Sequence, residues 1–166
     1  MSLTQTAADK LTQILTGYHY SNYSTTHRCP DIERLKYLLS KVSGDQRYEL
    51  LLSISDRVGD TVLRVAAGRG HRELCVTLLS SLPSADRLKL ILVNMHTALH
   101  AAAYQDHTET VSGILSCLTA EQQLQLLFKQ DSDGNTAFHQ AALNGLTETA
   151  KNLLDNITPE QQLQLL

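Results

Sequence analysis

Asp131-Ser132-Asp133-Gly134-Asn135-Thr136-Ala137-Phe138-His139-Gln140-Ala141-Ala142-Leu143-Asn144-Gly145-Leu146-Thr147-Glu148, running on to Leu153-Leu154, is the stretch whose reading decides the fold. It has two partial copies upstream. One runs from Asp56 through Gly59-Asp60-Thr61-Val62-Leu63-Arg64-Val65-Ala66-Ala67-Gly68-Arg69-Gly70-His71 to Leu78-Leu79. The other runs from His96-Thr97-Ala98-Leu99-His100-Ala101-Ala102-Ala103-Tyr104-Gln105-Asp106-His107 to Ile114-Leu115. The anchor threonines Thr61, Thr97 and Thr136 are 36 and 39 positions apart. A recurrence of that length marks a solenoid, in which each unit stacks on the next.

The physics of one unit follows from its residue types. Each anchor threonine precedes a short apolar run and can cap a helix N-terminus through its side-chain oxygen. Ala66-Ala67, Ala101-Ala102 and Ala141-Ala142 put small side chains where neighbouring helices must approach closely. Gly70 and Gly145 then end the first helix in the left-handed conformation, with Asp106 taking that place in the middle unit. A second helix follows, with Leu74, Cys75, Leu78, Leu79 and Leu82 along one stripe. Such a helix pair buries its apolar face only by stacking on another.

A third element recurs after each pair. Thr119-Ala120-Glu121-Gln122-Gln123-Leu124-Gln125-Leu126-Leu127 returns almost verbatim as Thr158-Pro159-Glu160-Gln161-Gln162-Leu163-Gln164-Leu165-Leu166. Thr119 with Gln122, and Thr158 with Gln161, form capping boxes, and Pro159 suits the first helical position. The segments beginning at Ser43 and Ser84 are degenerate copies, so every unit is expected to end in a short linker helix. Counting linkers exposes a fourth unit at the start. Its first helix is expected within Thr6 to Leu15 and its second around Asp31 to Leu39, with a long polar loop from Gly17 to Pro30 between them.

These residues resemble the ankyrin repeat, whose pattern is D-x-x-G-x-T-x-L-H-x-A-A-x-x-G-H-x-E followed by an apolar stretch ending in L-L. The resemblance covers residues 56 to 155 strongly. Val62, Ala98 and Ala137 replace the usual Pro, Arg64 replaces the usual His, and the finger before Thr97 is about three residues short. The expected fold is all-α, an ankyrin-repeat α-solenoid of about four helix-turn-helix units, each with its linker helix. The expected organisation is one domain over 1–166. It comprises a degenerate N-terminal repeat over 1–55, repeats over 56–93 and 94–130, and a last repeat over 131–166. The apolar ending Leu163-Gln164-Leu165-Leu166 leads us to expect a longer parent array, or a partner covering that end.

Composition narrows the function. The 166 residues are 42% hydrophobic and 19% charged, with a net charge of −3, which is not the clustered basic balance of a nucleic-acid binder. No apolar run approaches the roughly 18 residues of a membrane span, and the N-terminus lacks the features of a secretory signal. Cys29, Cys75 and Cys117 are widely spaced and odd in number, as free thiols of a reducing compartment would be. We expect a cytoplasmic protein; a secreted chain without its signal is the alternative.

Specific chemistries fare poorly. Asp131-Ser132-Asp133-Gly134-Asn135 has the alternating oxygens of a calcium loop, but such a loop needs Gly at its sixth position and Glu at its twelfth. Those positions hold Thr136 and Ala142, so a finger turn is the better reading. Gly68-Arg69-Gly70 follows a helix and not a strand, the wrong setting for a dinucleotide site. His100 and His139 are repeat-equivalent, as are His71 and His107, which points to structural hydrogen bonds inside each unit. No metal-ligand spacing, nucleophile elbow or activated cysteine is present. We expect no enzyme activity, no cofactor and no metal.

What the resemblance implies is a scaffold that binds a protein partner, with neither nucleic acid nor membrane involved. Carried over position by position, the binding surface comprises Arg57, Val58, Asp60 and Arg69 in the first clear unit. His96, Tyr104 and Gln105 follow in the middle unit, and Ser132, Asp133, Asn135, Leu143 and Asn144 in the last. Tyr104 is the expected hot spot, since an aromatic at an interface centre tends to dominate affinity. Two other classes are open. The array could be the targeting arm of a larger enzyme or secreted bacterial effector, or a spacing element with no dedicated partner.

Overall fold

A computed structural model describes residues 3–20, 28–55 and 59–165. Twelve helices lie among them, in four triplets. The first helices are α1 (Leu3–His19), α4 (Val62–Gly68), α7 (Ala98–Tyr104) and α10 (Ala137–Leu143). The second helices are α2 (Ile32–Ser40), α5 (Arg72–Ser80), α8 (Thr108–Ser116) and α11 (Thr147–Leu154). The linker helices are α3 (Gly44–Ser53), α6 (Ser84–Ile91), α9 (Ala120–Leu127) and α12 (Pro159–Leu165). First helices stack on first helices and second on second, so the chain is an all-helical ankyrin-type solenoid. The sole β-type pairing among the described residues is an isolated bridge between Ser55 and Thr61. No helix of the described residues is long and apolar enough to cross a membrane.

Local chemistry fixes each boundary. Thr61, Thr97 and Thr136 accept a bond from the backbone N–H three residues on, at Arg64, His100 and His139. In the last two units the histidine Nδ1 reciprocates by accepting the threonine backbone N–H at 3.3 Å, completing a capping box. Arg64 makes no such return bond to Thr61 and reaches outward instead. At the far end of these helices Gly70 and Gly145 adopt φ of 73° and 69°, while Asp106 takes φ of 61°. Asp106 carries the strain of a side chain there, and its carboxylate is used: Thr149 Oγ1 donates to Oδ1 at 2.8 Å. The linker boxes also form, Thr119 with Gln122 and Thr158 with Gln161.

Packing runs through the stack without interruption. Leu74, Cys75, Leu78 and Leu79 of α5, and Val111, Ile114 and Leu115 of α8, are buried almost completely. Each such leucine contributes about 1.5–3 kcal/mol relative to an exposed one. Ala66, Ala67, Ala102 and Ala103 are equally buried, where α4 and α7 lie side by side. Bulkier residues at these alanines would push the helices apart.

The first unit departs from expectation. Its first helix does not stop at Leu15 but continues through Gly17, Tyr18 and His19, residues placed in the polar loop from sequence. The stripe Ala7, Leu11, Leu15 extends to Tyr18, and all four are buried. The Tyr18 hydroxyl lies 2.7 Å from His71 Nδ1, and its carbonyl accepts from Arg69 at 2.9 Å. The Arg69 guanidinium sits over the Tyr18 ring at 4.7 Å. Tertiary contacts with the second unit thus provide what local sequence did not reveal. Tyr23 and His27 of that loop lie outside the described residues.

Two ladders join the units. On the finger side, a side chain of one unit bonds the carbonyl of the residue preceding the next anchor threonine. His19 Nε2 lies 2.7 Å from the Asp60 oxygen, Arg64 Nε donates to the His96 oxygen at 3.0 Å, and His100 Nε2 lies 3.0 Å from the Asn135 oxygen. On the linker side, Arg47 of α3 donates through Nε to its own Val42 oxygen and through a terminal nitrogen to Ser81 of the second unit. Arg87 of α6 repeats this, to Leu82 at 3.0 Å and to Cys117 of the third unit at 2.9 Å. At the equivalent place Gln123 of α9 and Gln162 of α12 reach only carbonyls of their own unit. The third and fourth units are joined instead between second helices, by Thr108 with Thr149 at 2.6 Å and Ser112 with Asn152 at 3.1 Å.

Candidate binding groove

The fingers and first helices of the last three units enclose one groove of about 670 Å³. Its floor is a helical stripe at the fourth, seventh and eighth positions after each anchor threonine. Those positions hold Val65, Gly68 and Arg69 in α4 and its cap, then Ala101, Tyr104 and Gln105. In the fourth unit only Gln140 of the equivalent stripe enters the groove. Its rim is formed by Asp60, His96 and the finger residues Asp131, Ser132 and Asp133.

The fourth finger owes its shape to one carboxylate. Asp131 Oδ1 accepts the backbone N–H groups of Asp133 and Asn135, both at 2.9 Å, and Gln140 Nε2 donates to Oδ2 at 2.7 Å. Gly134 at the tip has φ of 82°, which a side chain would resist. Burial raises the Asp131 pKa, but the bonds from Asn135, Gln140 and Asp133 outweigh it and hold the carboxyl below its ordinary value. Of the alternating oxygens seen in the sequence, those of Asp131 therefore serve the turn. The third finger is shorter: six residues separate Ile91 from Ala98, against nine between Leu127 and Ala137. There Asn94 Nδ2 donates to the Gly59 oxygen, tying this finger to the one before it.

Opposite the fourth finger, the groove's two arginines are engaged within the array. Arg64 pairs with the Asp60 carboxylate, and its remaining nitrogens face the His96 carbonyl and ring. Arg69 holds the Tyr18 carbonyl and ring, as described above. Burial, then the neighbouring Arg64 charge, lowers the His96 pKa, and burial lowers that of His100. Both imidazoles are neutral at neutral pH. In His100, Nδ1 accepts the Thr97 backbone N–H, so the ring proton sits on Nε2 and is donated to Asn135.

Seven of the twelve residues singled out from sequence line this groove: Asp60, Arg69, His96, Tyr104, Gln105, Ser132 and Asp133. Asn135 belongs to the finger turn but not to the groove lining, and its carbonyl is taken by His100 and by the Asp131 backbone N–H. Leu143 and Asn144, at the end of α10, are exposed but outside the groove lining. Arg57 and Val58 lie outside the described residues. The sequence reading missed Arg64, Val65, Gly68, Ala101, Asp131 and Gln140. Val65, Ala101 and Gln140 share one repeat position, a turn before the residues chosen, so helical spacing alone could have added them. Among the described residues no group of three His, Cys, Asp or Glu is placed to hold a metal ion.

Comparison with known proteins gives a family-model match over part of the chain and a fold. A family model described as ankyrin repeats (3 copies) matches residues 84–163. No curated protein matches the chain. Among solved structures, a chain in the crystal structure of the yeast ribosomal protein Rps3 in complex with its chaperone Yar1 superposes with a TM-score of 0.63. It is 18% identical, and the match covers 92% of this chain and 97% of that one.

Proposed function

From the match of residues 84–163 to an ankyrin-repeat family model, we propose that this chain is a non-catalytic scaffold holding a protein partner in the groove described above. The observation that carries the reading is convergence. Residues from three successive units, far apart in sequence, supply side chains of different chemistry to one concavity. A solenoid generates such a surface because each unit repeats the same small displacement. Tyr104 stands at its centre with half of its surface exposed, in the middle of the three units. The structural likeness to a chain from the Rps3–Yar1 complex supports the fold on which this rests. Neither nucleic acid nor membrane enters the reading, and three free thiols, Cys29, Cys75 and Cys117, suit a reducing cytoplasm.

A photo-crosslinking residue at position 104, compared with one at exposed Glu121 on α9, tests this. A partner captured from position 104 alone supports the groove; capture only from position 121, or equally from both, refutes it. Tyr104→Ala should weaken affinity for the captured partner by about 2 kcal/mol, roughly thirtyfold, with helicity unchanged.

The fourth unit favours an array that continues on its open face. Positions that are fully covered in earlier joints are uncovered there. Leu99, Ala103 and Leu115 are buried, whereas the equivalent Phe138 and Leu154 are half-buried and Ala142 is exposed. His139 occupies the place from which His100 reaches the next finger carbonyl, and its Nε2 meets no such carbonyl among the described residues. Repeat boundaries at 56–93, 94–130 and 131–166 belong to the same proposal.

A further inference from the structure

The groove carries a charge pattern that specifies its ligand beyond the general reading of a protein partner, on which this inference rests. Its cations are consumed by the array: Arg64 by Asp60 and His96, Arg69 by Tyr18. His96 adds no charge at neutral pH. At the other wall the balance is reversed. Asp131 and Asp133 face the same space, and neither has an ion-pair partner among the described residues. Asp131 spends its acceptor capacity on two amides and on Gln140, so its charge is fixed in place and balanced only by dipoles. Asp133 is exposed, and its carboxylate makes no bond among the described residues. The half-exposed Tyr104 ring lines the same groove, and within this fold Tyr18 already holds a guanidinium over its face at 4.7 Å.

We propose that the groove takes a basic segment of its protein partner, seating the cationic end of an arginine or lysine side chain between Asp133 and the Tyr104 ring. An acidic segment would meet Asp131 and Asp133 with no unengaged cation among the described residues that line the groove. A basic one gains a charge-assisted contact at Asp133 and attraction from Asp131 without disturbing the finger turn. The aromatic face adds a cation–π contact that a neutral side chain lacks.

Panning a random dodecapeptide display library against the full 166-residue chain tests this. Enriched peptides should carry arginine or lysine. Their affinity should fall about fivefold in Asp133→Asn, a substitution that removes charge from an unpartnered side chain. The same peptides should bind Asp155→Asn, which neutralises an exposed carboxylate at the end of α11, as tightly as the parent chain. Enrichment of neutral or acidic peptides overturns the proposal, as does equal loss in the two variants or none in Asp133→Asn. Peptides whose binding depends on Tyr104 but not on charge would refute the basic ligand and leave the groove standing as a binding surface. Peptides dependent on neither would refute both.

Discussion

Replacing Arg87 separates the bond it makes within its unit from the one it makes across units. Its Nε holds Leu82 of the second unit and its terminal nitrogen holds Cys117 of the third, at 3.0 and 2.9 Å. A cationic donor to a carbonyl contributes about 1.5–3 kcal/mol when buried. Arg87 is half-buried, so water competes and about 1 kcal/mol per bond is the better figure. Arg87→Ala loses both bonds and should cost about 2 kcal/mol. Arg87→Gln recreates what Gln123 does naturally, keeping the internal bond and losing the bridging one, at a cost of about 1 kcal/mol. In an array of this size, that corresponds to melting shifts of about 6 and 3 °C. The reverse exchange, Gln123→Arg, should reach the Asn156 carbonyl in the fourth unit and raise stability by about 1 kcal/mol. Urea titrations followed by circular dichroism would rank the four chains, with superimposable transitions checking cooperativity. The reasoning fails if the glutamine variant matches either the parent or the alanine variant, or if Gln123→Arg adds nothing.

Three further outcomes follow from the geometry. His100 has a folded-state pKa below its ordinary value, so the unfolded chain binds the proton more readily. Its contribution is present above pH 6.5 and lost as pH falls through the folded pKa. The urea midpoint should therefore drop on acidification from pH 7 to pH 5, with a shallower drop in His100→Asn; parallel profiles would contradict this. Gly70 and Gly134 share a left-handed φ, but an added Cβ at Gly70 would lie 2.7 Å from His107 Nδ1, whereas Gly134 faces open space. Gly134→Ala should cost about 1 kcal/mol of backbone strain. Gly70→Ala should cost more and break the contact of His107 Nε2 with the Gly68 carbonyl, a ranking that thermal melts can reverse. Asp106→Ala and Asp106→Gly both lose the acceptor for Thr149, but only the alanine keeps the left-handed backbone penalty, so it should destabilise more; equal melting temperatures would show that this backbone carries no strain.

Much of this architecture was readable in the chain because ankyrin chemistry is local. A threonine three residues before a histidine writes its own capping box, and the near-verbatim Thr119 and Thr158 segments write theirs. What escaped the reading depends on neighbours. Nothing within residues 15–20 says that Tyr18 and His19 are helical; the second unit, through His71, Arg69 and Asp60, provides that information. The groove was half legible for the same reason. Tyr104 and Gln105 stand out as large residues at the end of a helix, whereas Ala101 and Gly68 matter by being small. Sequence also offered Arg69 as a free charge for a ligand, while the fold gives it to Tyr18.

The change from arginine to glutamine along the linker helices bears on mechanics. The first two joints are riveted along their back edge by Arg47 and Arg87, whereas the last is held midway, between α8 and α11, and at its finger edge by His100. A joint left unriveted at its back edge can open there, hinging about the bond at its front. Stiffness graded along the array would let the last unit tilt while its finger keeps its register with Tyr104.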